Sequence, residues 1–425
     1  MEVIITPRAL GGSVSAIPSK SHLHRLLICA ALGGSPLKIP YPAGMMSEDI
    51  KATLGCLSAL GSDIKVGDNC LVVGPIDRKA TDIARLDCGE SGSTYRFLVP
   101  VVLALGRPAT FHLSARLPSR PMDDLFSALE AHGAKIEDKG SPDVFVSGKI
   151  SPGRYEIPGN ISSQYITGLL LALPLLPGES EIIITGKPES VGYINMTLSV
   201  LRDYSVKVRQ TQTGYRIPAP QKFSPTKAIM PEGDWSNSAF WLAAGAMRGE
   251  GIRVTGLRHD TSQGDSEICK ILRRFGARVD EYGDYVAVSP GRLRGISVDA
   301  ADIPDLVPAI AAVAAAAEGV TLIENAGRLR LKESDRQRSV SATLNALGGR
   351  SVTGDDSITI YGTGVLDGGK VESFSDHRIA MMAAVCSVIC RNNVTITGAE
   401  ATDKSYPGFF SDYAALGGSV IKGGD

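Results

Sequence analysis

Lysine and arginine recur beside predicted helix starts in this chain of 425 residues. Lys20 and Arg25 belong to one such segment, and Lys332 and Arg336 belong to another. These side chains bind phosphate and carboxylate groups, and the free N–H groups of a first helical turn add to such binding. The pattern therefore indicates a local site for small anions. Taken alone, the first segment is more typical of a capped surface helix than of an anion site. The second is equally typical of an anion site and of a surface helix with alternating positive and negative charges.

Spacing relates these basic residues to one another. Lys332 and Arg336 are four residues apart, so they would share one face if a helix begins in this segment. Arg116 and Arg120 flank a proline-bent turn that suits bidentate binding of an anion, although an ordinary solvated turn has the same pattern. Glycines in Gly89–Arg96 allow the backbone to approach a ligand closely, but the segment is not a P-loop. The remaining basic segments are Ser375–Arg378 and Asp403–Pro407.

The elements that must position these residues form a regular repeat. A short tripeptide closes an amphipathic stretch six times, at nearly even intervals along the chain. Each unit has the pattern helix, strand, helix, strand, strand. A period of roughly 70 residues is longer than that of a usual solenoid, so we predict two halves of three α/β units each. The closing positions are Gly61, Gly133, Ser205, Gly276, Gly348 and Gly417.

The length of the chain and one proline-rich segment predict the domain organisation. A chain of 425 residues is longer than one core usually serves. Residues 217–225 contain three prolines and little helix signal, which is typical of a connector. The predicted strand Glu2–Thr6 would complete a sheet of the other half. We therefore predict one domain from residues 1–18 and 229–425, and a second from residues 19–228.

Composition excludes several classes of function. The net charge of −1 gives no general attraction to nucleic acid or to an anionic membrane. The longest apolar run, residues 306–317, is too short to span a bilayer. Seven scattered cysteines without a CxxC pair predict a reducing, cytoplasmic location. The sequence shows no metal framework, and we predict neither a metal nor a cofactor.

Eight motifs, in order from residue 18 to residue 407, resemble those of the 5-enolpyruvylshikimate-3-phosphate synthase family of enolpyruvyl transferases. The resemblance implies an α/β fold of two domains, an inside-out α/β barrel built of six βαβαββ-type repeats, three per domain. The motifs are Ser19-Lys20-Ser21 with Arg25, Gly92-Ser93 with Arg96, Arg116 with Arg120-Pro121, Ser162-Ser163-Gln164, Ile303-Pro304-Asp305, residues 331–336, Asp376-His377-Arg378, and Lys404 with Pro407.

The resemblance also implies a reaction and its ligands. The family transfers the enolpyruvyl group of phosphoenolpyruvate to the 5-hydroxyl of shikimate 3-phosphate and releases phosphate, in aromatic amino-acid biosynthesis. We expect a monomer that uses these two small molecules and is inhibited by glyphosate at the phosphoenolpyruvate site. The residues implied for shikimate 3-phosphate are Lys20, Ser21, Arg25, Ser162, Ser163, Gln164, Tyr193, Asp305, Arg328 and Lys332. Those implied for phosphoenolpyruvate are Lys20, Gly92, Arg116, Gln164, Arg336, Arg378 and Lys404.

The reaction needs an acid and a base on opposite partners. The substrate hydroxyl must lose a proton, and the methylene carbon of phosphoenolpyruvate must gain one. We assign Asp305 to the hydroxyl and Glu333 to the methylene carbon. Lys20 would neutralise the bridging phosphate and be available to relay a proton. Which carboxylate acts in which half-reaction stays open.

Three positions depart from the family pattern, and two other functions are compared with the sequence below. Glu90 and Arg328 stand where asparagine is frequent, and Phe97 stands where proline follows the arginine. The related UDP-N-acetylglucosamine enolpyruvyl transferases usually carry asparagine after their lysine and a cysteine in an arginine-bearing loop, whereas here Ser21 follows Lys20 and residues 114–122 lack cysteine. A non-catalytic scaffold or nucleic-acid binder would need a basic face or lost carboxylates, which the sequence does not show.

Overall fold

The computed structural model describes residues 1–423 and shows a mixed α/β chain in two compact units. One, called the discontinuous unit, comprises Met1–Ser19 and Glu232–Asp425. The other, called the continuous unit, comprises Lys20–Pro231. The unit borders lie one and three residues after the predicted domain borders. That each unit is an independent domain stays a prediction.

The helices confirm the predicted repeat. The first helix of each repeat begins at residue 20, 92, 163, 235, 307 or 377, so these starts are as evenly spaced as the closing tripeptides. A second helix follows each of them. The helices are α1 Lys20–Ala31, α2 Glu48–Ala59, α3 Gly92–Leu105, α4 Asp123–Glu130, α5 Ser163–Ala172, α6 Val191–Asp203, α7 Trp235–Met247, α8 Ile268–Phe275, α9 Val307–Ala316, α10 Arg336–Ala346, α11 His377–Cys386 and α12 Phe409–Ala415.

Within residues 1–423 the strands form six small sheets, three in each unit. The sheets have three or four strands and are separate, so the closed barrel implied by the resemblance is not observed in this range. The strands are β1 Glu2–Thr6, β2 Gly11–Ser15, β3 Leu37–Pro40, β4 Ile64–Val66, β5 Cys70–Val73, β6 Ala84–Gly89, β7 Ala109–Leu113, β8 Ala134–Glu137, β9 Asp143–Gly148, β10 Arg154–Pro158, β11 Ser180–Thr185, β12 Arg209–Gln210, β13 Gly214–Ile217, β14 Gly251–Thr255, β15 Arg278–Glu281, β16 Tyr285–Ser289, β17 Ser297–Asp299, β18 Glu318–Glu324, β19 Arg350–Thr353, β20 Ser357–Thr363, β21 Gly369–Glu372, β22 Val394–Thr397 and β23 Ser419–Lys422.

One connection pattern recurs in these sheets. In the third repeat β10 and β11 are parallel, β13 pairs antiparallel with β11, and β12 pairs antiparallel with β13. The sheets β6-β7-β9-β8 and β17-β18-β20-β19 follow the same order. Parallel neighbours need a crossover connection, and the first helix of each of these repeats provides it. In these three repeats the first helix therefore lies between the two parallel strands along the chain.

The N-terminal residues complete two sheets of the discontinuous unit. Strand β1 lies between β22 and β23 and is antiparallel to both, as predicted for Glu2–Thr6. Strand β2 pairs in parallel with β14 of the fourth repeat. The side chains of Val3 and Ile5 are fully buried. The start of the chain is thus packed against repeats from the second half of the sequence.

The two helices of a repeat have different environments. Helices α7, α9 and α11 pack on one another and are buried nearly all round, which explains their runs of alanine and other apolar residues. The second helix of the fourth repeat, α8, buries one face and leaves Lys270 exposed. Among residues 1–423, no helix is both long and apolar enough to span a membrane. The buried first helices place their polar starts where long-range contacts can form.

Candidate active site

Lys20 is the first residue of α1 and belongs to a buried ion pair. Its Nζ lies 2.6 Å from Oδ2 of Asp49, and the two side chains are 13% and 8% exposed. Asp49 lies in the first turn of α2, where a carboxylate is favoured by the helix dipole. Asp49 has no distinctive signal in the sequence, because its acidic pair Glu48-Asp49 is typical of any helix start. The pair fixes the position of the lysine ammonium group.

Arg25 is held by neutral groups. Its Nε donates to Oγ1 of Thr197 at 2.8 Å, and Nη2 donates to Oγ1 of Thr167 and to the carbonyl of Tyr193. Nη1 donates to the carbonyl of Ser21, one turn earlier in α1. Burial lowers the pKa of Arg25 to about 10. No carboxylate of residues 1–423 pairs with this guanidinium, so its positive charge is not compensated locally.

Gly92 begins α3 beneath two guanidinium groups. A Cβ at this position would lie 2.9 Å from Nη1 of Arg96 and 2.9 Å from Nη1 of Arg120. Nη1 of Arg96 donates to Oε1 of Gln164, whose Nε2 donates to Oγ of Ser93. The absence of a side chain at Gly92 thus permits two cations and the first turn of a helix to meet. Such an arrangement suits an anion.

The structure distinguishes the two arginines of the turn that follows β7. Arg120 lies against Gly92, whereas Arg116 is exposed at the start of the short 3₁₀ helix Leu117–Ser119. In residues 1–423 the Arg116 side chain makes no hydrogen bond or ion pair. The family resemblance implied Arg116 as a ligand, which stays a prediction, and the structure places Arg120 in the cluster at Gly92. Both residues have the same local pattern, so only the fold separates them.

The serine pair Ser162 and Ser163 lies at the start of α5. Ser162 is the N-cap residue, and its Oγ accepts a hydrogen bond from the backbone N–H of Gln164 at 3.3 Å. Ser163 is buried, and Tyr193 is half-buried at the start of α6. The structure thus places both serines next to Gln164, as their adjacency in the motif predicts. Their binding roles stay predictions.

Three cations of the discontinuous unit surround the carboxylate of Asp305. Oδ1 lies 2.7 Å from Nη1 of Arg336 and 3.4 Å from Nζ of Lys332, and Oδ2 lies 3.5 Å from Nη2 of Arg378. Burial opposes the charged form of this carboxyl, but Arg378, Lys332 and Arg336 together hold its pKa well below its usual range. Asp305 is therefore ionised in this state. The resemblance implied all four residues separately, and the structure brings them together.

Arg336 binds two more carboxylates. Its Nε lies 2.8 Å from Oδ2 of Asp376, and its Nη2 lies 2.6 Å from Oε2 of Glu333. Asp376 is fully buried, caps α11 by accepting from the N–H of Arg378, and also accepts from Oγ of Ser334. Asp376 was part of a motif but was given no role. Its side chain orients Arg336 directly and Arg378 through the helix start.

Lys332 and Arg336 do not share the face of one helix. Helix α10 begins at Arg336, and Asp335 is its N-cap, accepting from the N–H of Arg338 at 3.3 Å. A capping side chain ends the irregular segment and starts the helix after itself, so Lys332 lies outside α10. The two cations still converge on Asp305, because the chain turns between them. Within its own segment, Arg336 pairs with Glu333.

The remaining predicted residues lie in short 3₁₀ helices. Lys404 is 8% exposed at the end of Ala399–Lys404, and Arg328 is half-buried in Gly327–Leu331. Both residues make polar or electrostatic contacts within the chain. Among residues 1–423, no group of three or more His, Cys, Asp or Glu side chains could hold a metal ion. The binding roles of Lys404 and Arg328 stay predictions.

The family model for EPSP synthase (3-phosphoshikimate 1-carboxyvinyltransferase) matches residues 4–413. This chain belongs to that family. The 3-phosphoshikimate 1-carboxyvinyltransferase of Clostridium kluyveri is 39% identical over 422 residues, and that of Clostridium acetobutylicum is 40% identical over 425 residues; each match covers 98% of both chains. The structure of EPSP synthase from Acinetobacter baumannii has a TM-score of 0.81 and 25% identity, over 99% of this chain and 100% of that one.

Family membership gives context to the departures noted in the sequence. Phe97 is fully buried in α3, and the guanidinium carbon of Arg25 lies 5.0 Å from the centroid of its ring. Helix α3 is continuous from Gly92 to Leu105, so phenylalanine in place of proline leaves it regular. Glu90 is half-buried two residues before the helix and makes contacts within the chain. Phe97 of α3 thus packs against Arg25, a cation of the first motif that lies in α1.

A buried carboxyl group near Asp305 escaped the sequence analysis. Asp265 is 3% exposed and accepts a hydrogen bond from the hydroxyl of Ser236. Burial is the main cause that raises its pKa to about 6; the charge of Asp305 adds to this effect and Arg378 opposes it. Asp265 therefore adds a titratable group to the electrostatics of the arginine cluster. Its own motif, Gly264–Glu267, reads as an ordinary acidic turn.

Proposed function

We propose that this chain transfers the enolpyruvyl group of phosphoenolpyruvate to the 5-hydroxyl of shikimate 3-phosphate and releases phosphate. The observation that carries the proposal is that Asp305 and Glu333 are bound by the same guanidinium, that of Arg336. Two carboxylates suited to proton transfer are thereby joined to a cation suited to a substrate anion. Membership of the family supplies the reaction class.

Shikimate 3-phosphate has one phosphate, one carboxylate and several hydroxyl groups. Arg25 suits an anionic group of this ligand, because no carboxylate of the described chain has to leave before it binds. Ser21, Tyr193, Ser162 and Ser163 supply hydroxyl groups in the same unit. We assign Lys332, Arg328 and Asp305 of the discontinuous unit to the same ligand. Lys20 and Gln164 would contact both ligands.

Phosphoenolpyruvate has a phosphate and a carboxylate. The first turn of α3 at Gly92, with Gln164 and Arg120, suits one of these groups. We propose Arg120 for this contact in addition to the sequence-predicted Arg116, since Arg120 lies against Gly92. Arg336, Arg378 and Lys404 suit the other anionic group.

The bonds change in two steps. In the addition step, the 5-hydroxyl oxygen bonds to C2 of phosphoenolpyruvate; Asp305 takes the hydroxyl proton, and protonated Glu333 gives a proton to the methylene carbon. A tetrahedral ketal results. In the elimination step, the bond between C2 and the phosphate oxygen breaks, the methyl group returns a proton to a carboxylate, and phosphate leaves. Lys20 stabilises the departing negative charge.

Arg336 links substrate binding to these proton transfers. While it is bound to Asp305 it helps to hold the pKa of that carboxyl group below its usual range. A substrate anion that takes over its Nη1 and Nη2 atoms releases Asp305 and Glu333. The pKa of the Asp305 carboxyl group then rises, because a cation has been withdrawn. Asp376 keeps Nε in place during the exchange.

The test measures phosphate release from phosphoenolpyruvate with each acceptor separately. We expect release with shikimate 3-phosphate and none with UDP-N-acetylglucosamine. Asp305→Asn should abolish most of the release, whereas Glu324→Gln, an exposed carboxylate on β18, should leave it unchanged. Release with the nucleotide sugar alone would replace this proposal by the related reaction.

A further inference from the structure

A groove in the continuous unit lies outside the residues assigned to the reaction. It has a volume of about 630 Å³ and is formed by the end of α6, the connecting residues 206–208 and the hairpin of β12 and β13. Grooves that bind small molecules have volumes of several hundred Å³. The size alone therefore permits a small-molecule ligand but does not define its chemistry.

Three cations border this groove: Arg202, Lys207 and Arg209. All three are exposed, and within residues 1–423 none of them forms an ion pair. No carboxylate lines the groove, although neighbouring cations are paired: Arg216 lies 3.7 Å from Glu179, and Lys227 lies 3.0 Å from Asp203. Three unpaired cations thus lie at one groove of a chain whose net charge is −1.

The three cations are not equivalent. Arg202 lies in the last turn of α6, where the negative end of the helix dipole compensates part of its charge. Arg209 stands directly opposite Arg216 on β13, and like charges on opposed strand positions destabilise a sheet. Lys207 and Arg209 are two residues apart and exposed, whereas Val206 and Val208 are buried or half-buried, so the two cations lie on the solvent-facing side of this segment and can reach one anionic group. Lys207 and Arg209 are therefore the stronger anion contacts.

The floor of the groove is apolar. Val206 and Tyr215 are 4% and 5% exposed, and Leu198 and Val208 are half-buried against the same core. An inorganic anion would contact the cations and leave the accessible parts of Leu198 and Val208 in water. An aromatic ring packed on these two side chains would bury them and bring an attached acidic group to the rim.

The backbone of the groove is already ordered. Ser205 adopts a left-handed conformation at the end of α6, with φ of 62°, and the N–H of Val206 donates to the carbonyl of Leu201 at 2.8 Å. The side chain of Gln221 accepts from the N–H of Lys207 at 2.8 Å and donates to its carbonyl at 2.9 Å. A ligand would therefore not have to order the segment that carries Lys207.

We infer that this groove binds a small aromatic anion, with its ring on the floor and its carboxylate or sulfonate group between Lys207 and Arg209. The inference is independent of the proposed function and uses none of its residues. The probe is naphthalene-2-sulfonate, titrated into the full chain labelled at its leucine and valine methyl groups. We expect saturable NMR shifts at the methyl groups of Leu198, Val206 and Val208.

Charge reversal tests the cations. The double variant Lys207→Glu/Arg209→Glu should bind the probe at least tenfold more weakly than wild type. A matched control is Lys38→Glu/Lys135→Glu, which makes the same charge change at exposed strand positions of the continuous unit and should bind the probe as wild type does. Naphthalene-2-methanol, with the same ring and no charge, should bind at least tenfold more weakly to wild type.

Two results would overturn the inference. One is equal affinity of the groove variant and its control for the sulfonate. The other is the absence of shifts at these three methyl groups, with competition between the probe and phosphoenolpyruvate in the phosphate-release assay. Phosphate release by the groove variant without probe should equal that of wild type, which shows that the variant is folded.

Discussion

Lys20 with Asp49 and Ser236 with Asp265 are equivalent pairs in the first and fourth repeats. The members of each pair are 29 residues apart, and each residue of the first pair precedes its counterpart by the length of three repeats. Both carboxylates are nearly buried. One faces an ammonium group and the other faces a hydroxyl group, so the same backbone position serves a charged pair in one unit and a titratable acid in the other.

The difference shows how the two units can divide anion binding. In the continuous unit, Arg25 donates to hydroxyl and carbonyl groups and packs on Phe97, and no carboxylate of residues 1–423 pairs with it. In the discontinuous unit, Arg336 is bound by three carboxylates. Binding at Arg25 would add an anion, whereas binding at Arg336 would exchange one anion for another. We expect only the second event to change the protonation of catalytic groups.

The largest effect is expected from removing the lysine of the first pair. Lys20→Met leaves the carboxylate of Asp49 buried without its cation, which should lower the free energy of unfolding by about 3–5 kcal/mol at pH 8. Ser236→Ala removes only a neutral donor and should cost about 1–3 kcal/mol. Urea unfolding of both variants measures the contrast.

The pH dependence provides the control for this prediction. Removing Lys20 takes a cation away from the Asp49 carboxylate, which favours the protonated form of that group more than in wild type. The deficit of the variant relative to wild type should therefore be smaller at pH 5 than at pH 8. Equal deficits of the two variants at every pH would show that the pairs are energetically alike.

A second prediction separates buried carboxylates that move protons from those that only hold a structure. Asp305→Asn and Glu333→Gln should each lower turnover roughly 100-fold or more while the chain stays folded. Asp265→Asn should lower turnover less than tenfold, since the hydroxyl of Ser236 can donate to the amide oxygen as well. Steady-state phosphate release measures all three. Wild-type turnover in an Asp305 or Glu333 variant would remove that residue from the mechanism.

These comparisons also show which features the sequence could reveal. The repeat and the helix starts were predictable because an N-cap side chain, such as Ser91 or Ser162, satisfies backbone groups within three residues of itself. The convergence of Asp305, Lys332, Arg336 and Arg378 was implied only through the family resemblance. No local pattern encodes contacts that span 31 or 73 residues.

Other details could not be predicted for the same reason. Arg116 and Arg120 occupy one turn with similar sequence surroundings, and only the packing of that turn places Arg120 against Gly92; the binding role of Arg116 stays a prediction. Lys332 and Arg336 do not share a helix face, because the cap at Asp335 starts α10 after Lys332. Asp49 and Asp265 were missed since an acidic residue near a helix start is common. The partners of these two carboxylates, Lys20 and Ser236, lie 29 residues earlier in the chain.

A third prediction concerns the titration of Asp265. Its pKa of about 6 in the folded chain exceeds the value of about 3.9 expected in the unfolded chain, so the folded state binds more protons between these values. Wild-type stability should therefore fall as pH rises from 4 to 6, by about 1–3 kcal/mol from this group. Asp265→Asn removes the contribution, and its stability relative to wild type should rise over the same range.

The measurement is urea unfolding of both proteins between pH 4 and pH 7. Asp284→Asn, an exposed position in the same unit, should keep a constant difference from wild type. A constant difference for Asp265→Asn as well would mean that this carboxyl is not destabilised in the folded chain. The two pairs would then differ in partner but not in electrostatics.

The smallest effect is expected at the first helix of the second repeat, whose counterpart lies in the fifth repeat. Gly92 in the second repeat precedes Pro308 in the fifth by the same three repeats, so one helix start has no side chain and its counterpart carries a ring. In Gly92→Ala the methyl group would lie 2.9 Å from the guanidinium ends of Arg96 and Arg120 and would push them away. We expect the KM for phosphoenolpyruvate to rise roughly tenfold, since charge-assisted hydrogen bonds would be lost. Glyphosate, which competes for the same anion site in our proposal, should lose more affinity than phosphoenolpyruvate does.

Inhibition constants for glyphosate and KM values for both substrates provide this measurement. Gly55→Ala is the matched control, because Gly55 is exposed in α2 and an added Cβ meets no atom within 4 Å. Phe97→Pro tests the neighbouring departure from the family pattern, and any change it causes should affect shikimate 3-phosphate through Arg25, which packs on the Phe97 ring. If Gly92→Ala changed neither glyphosate inhibition nor the KM for phosphoenolpyruvate, the first turn of α3 would not bind that anion. The second repeat would then resemble the fifth, where Pro308 fills the helix start.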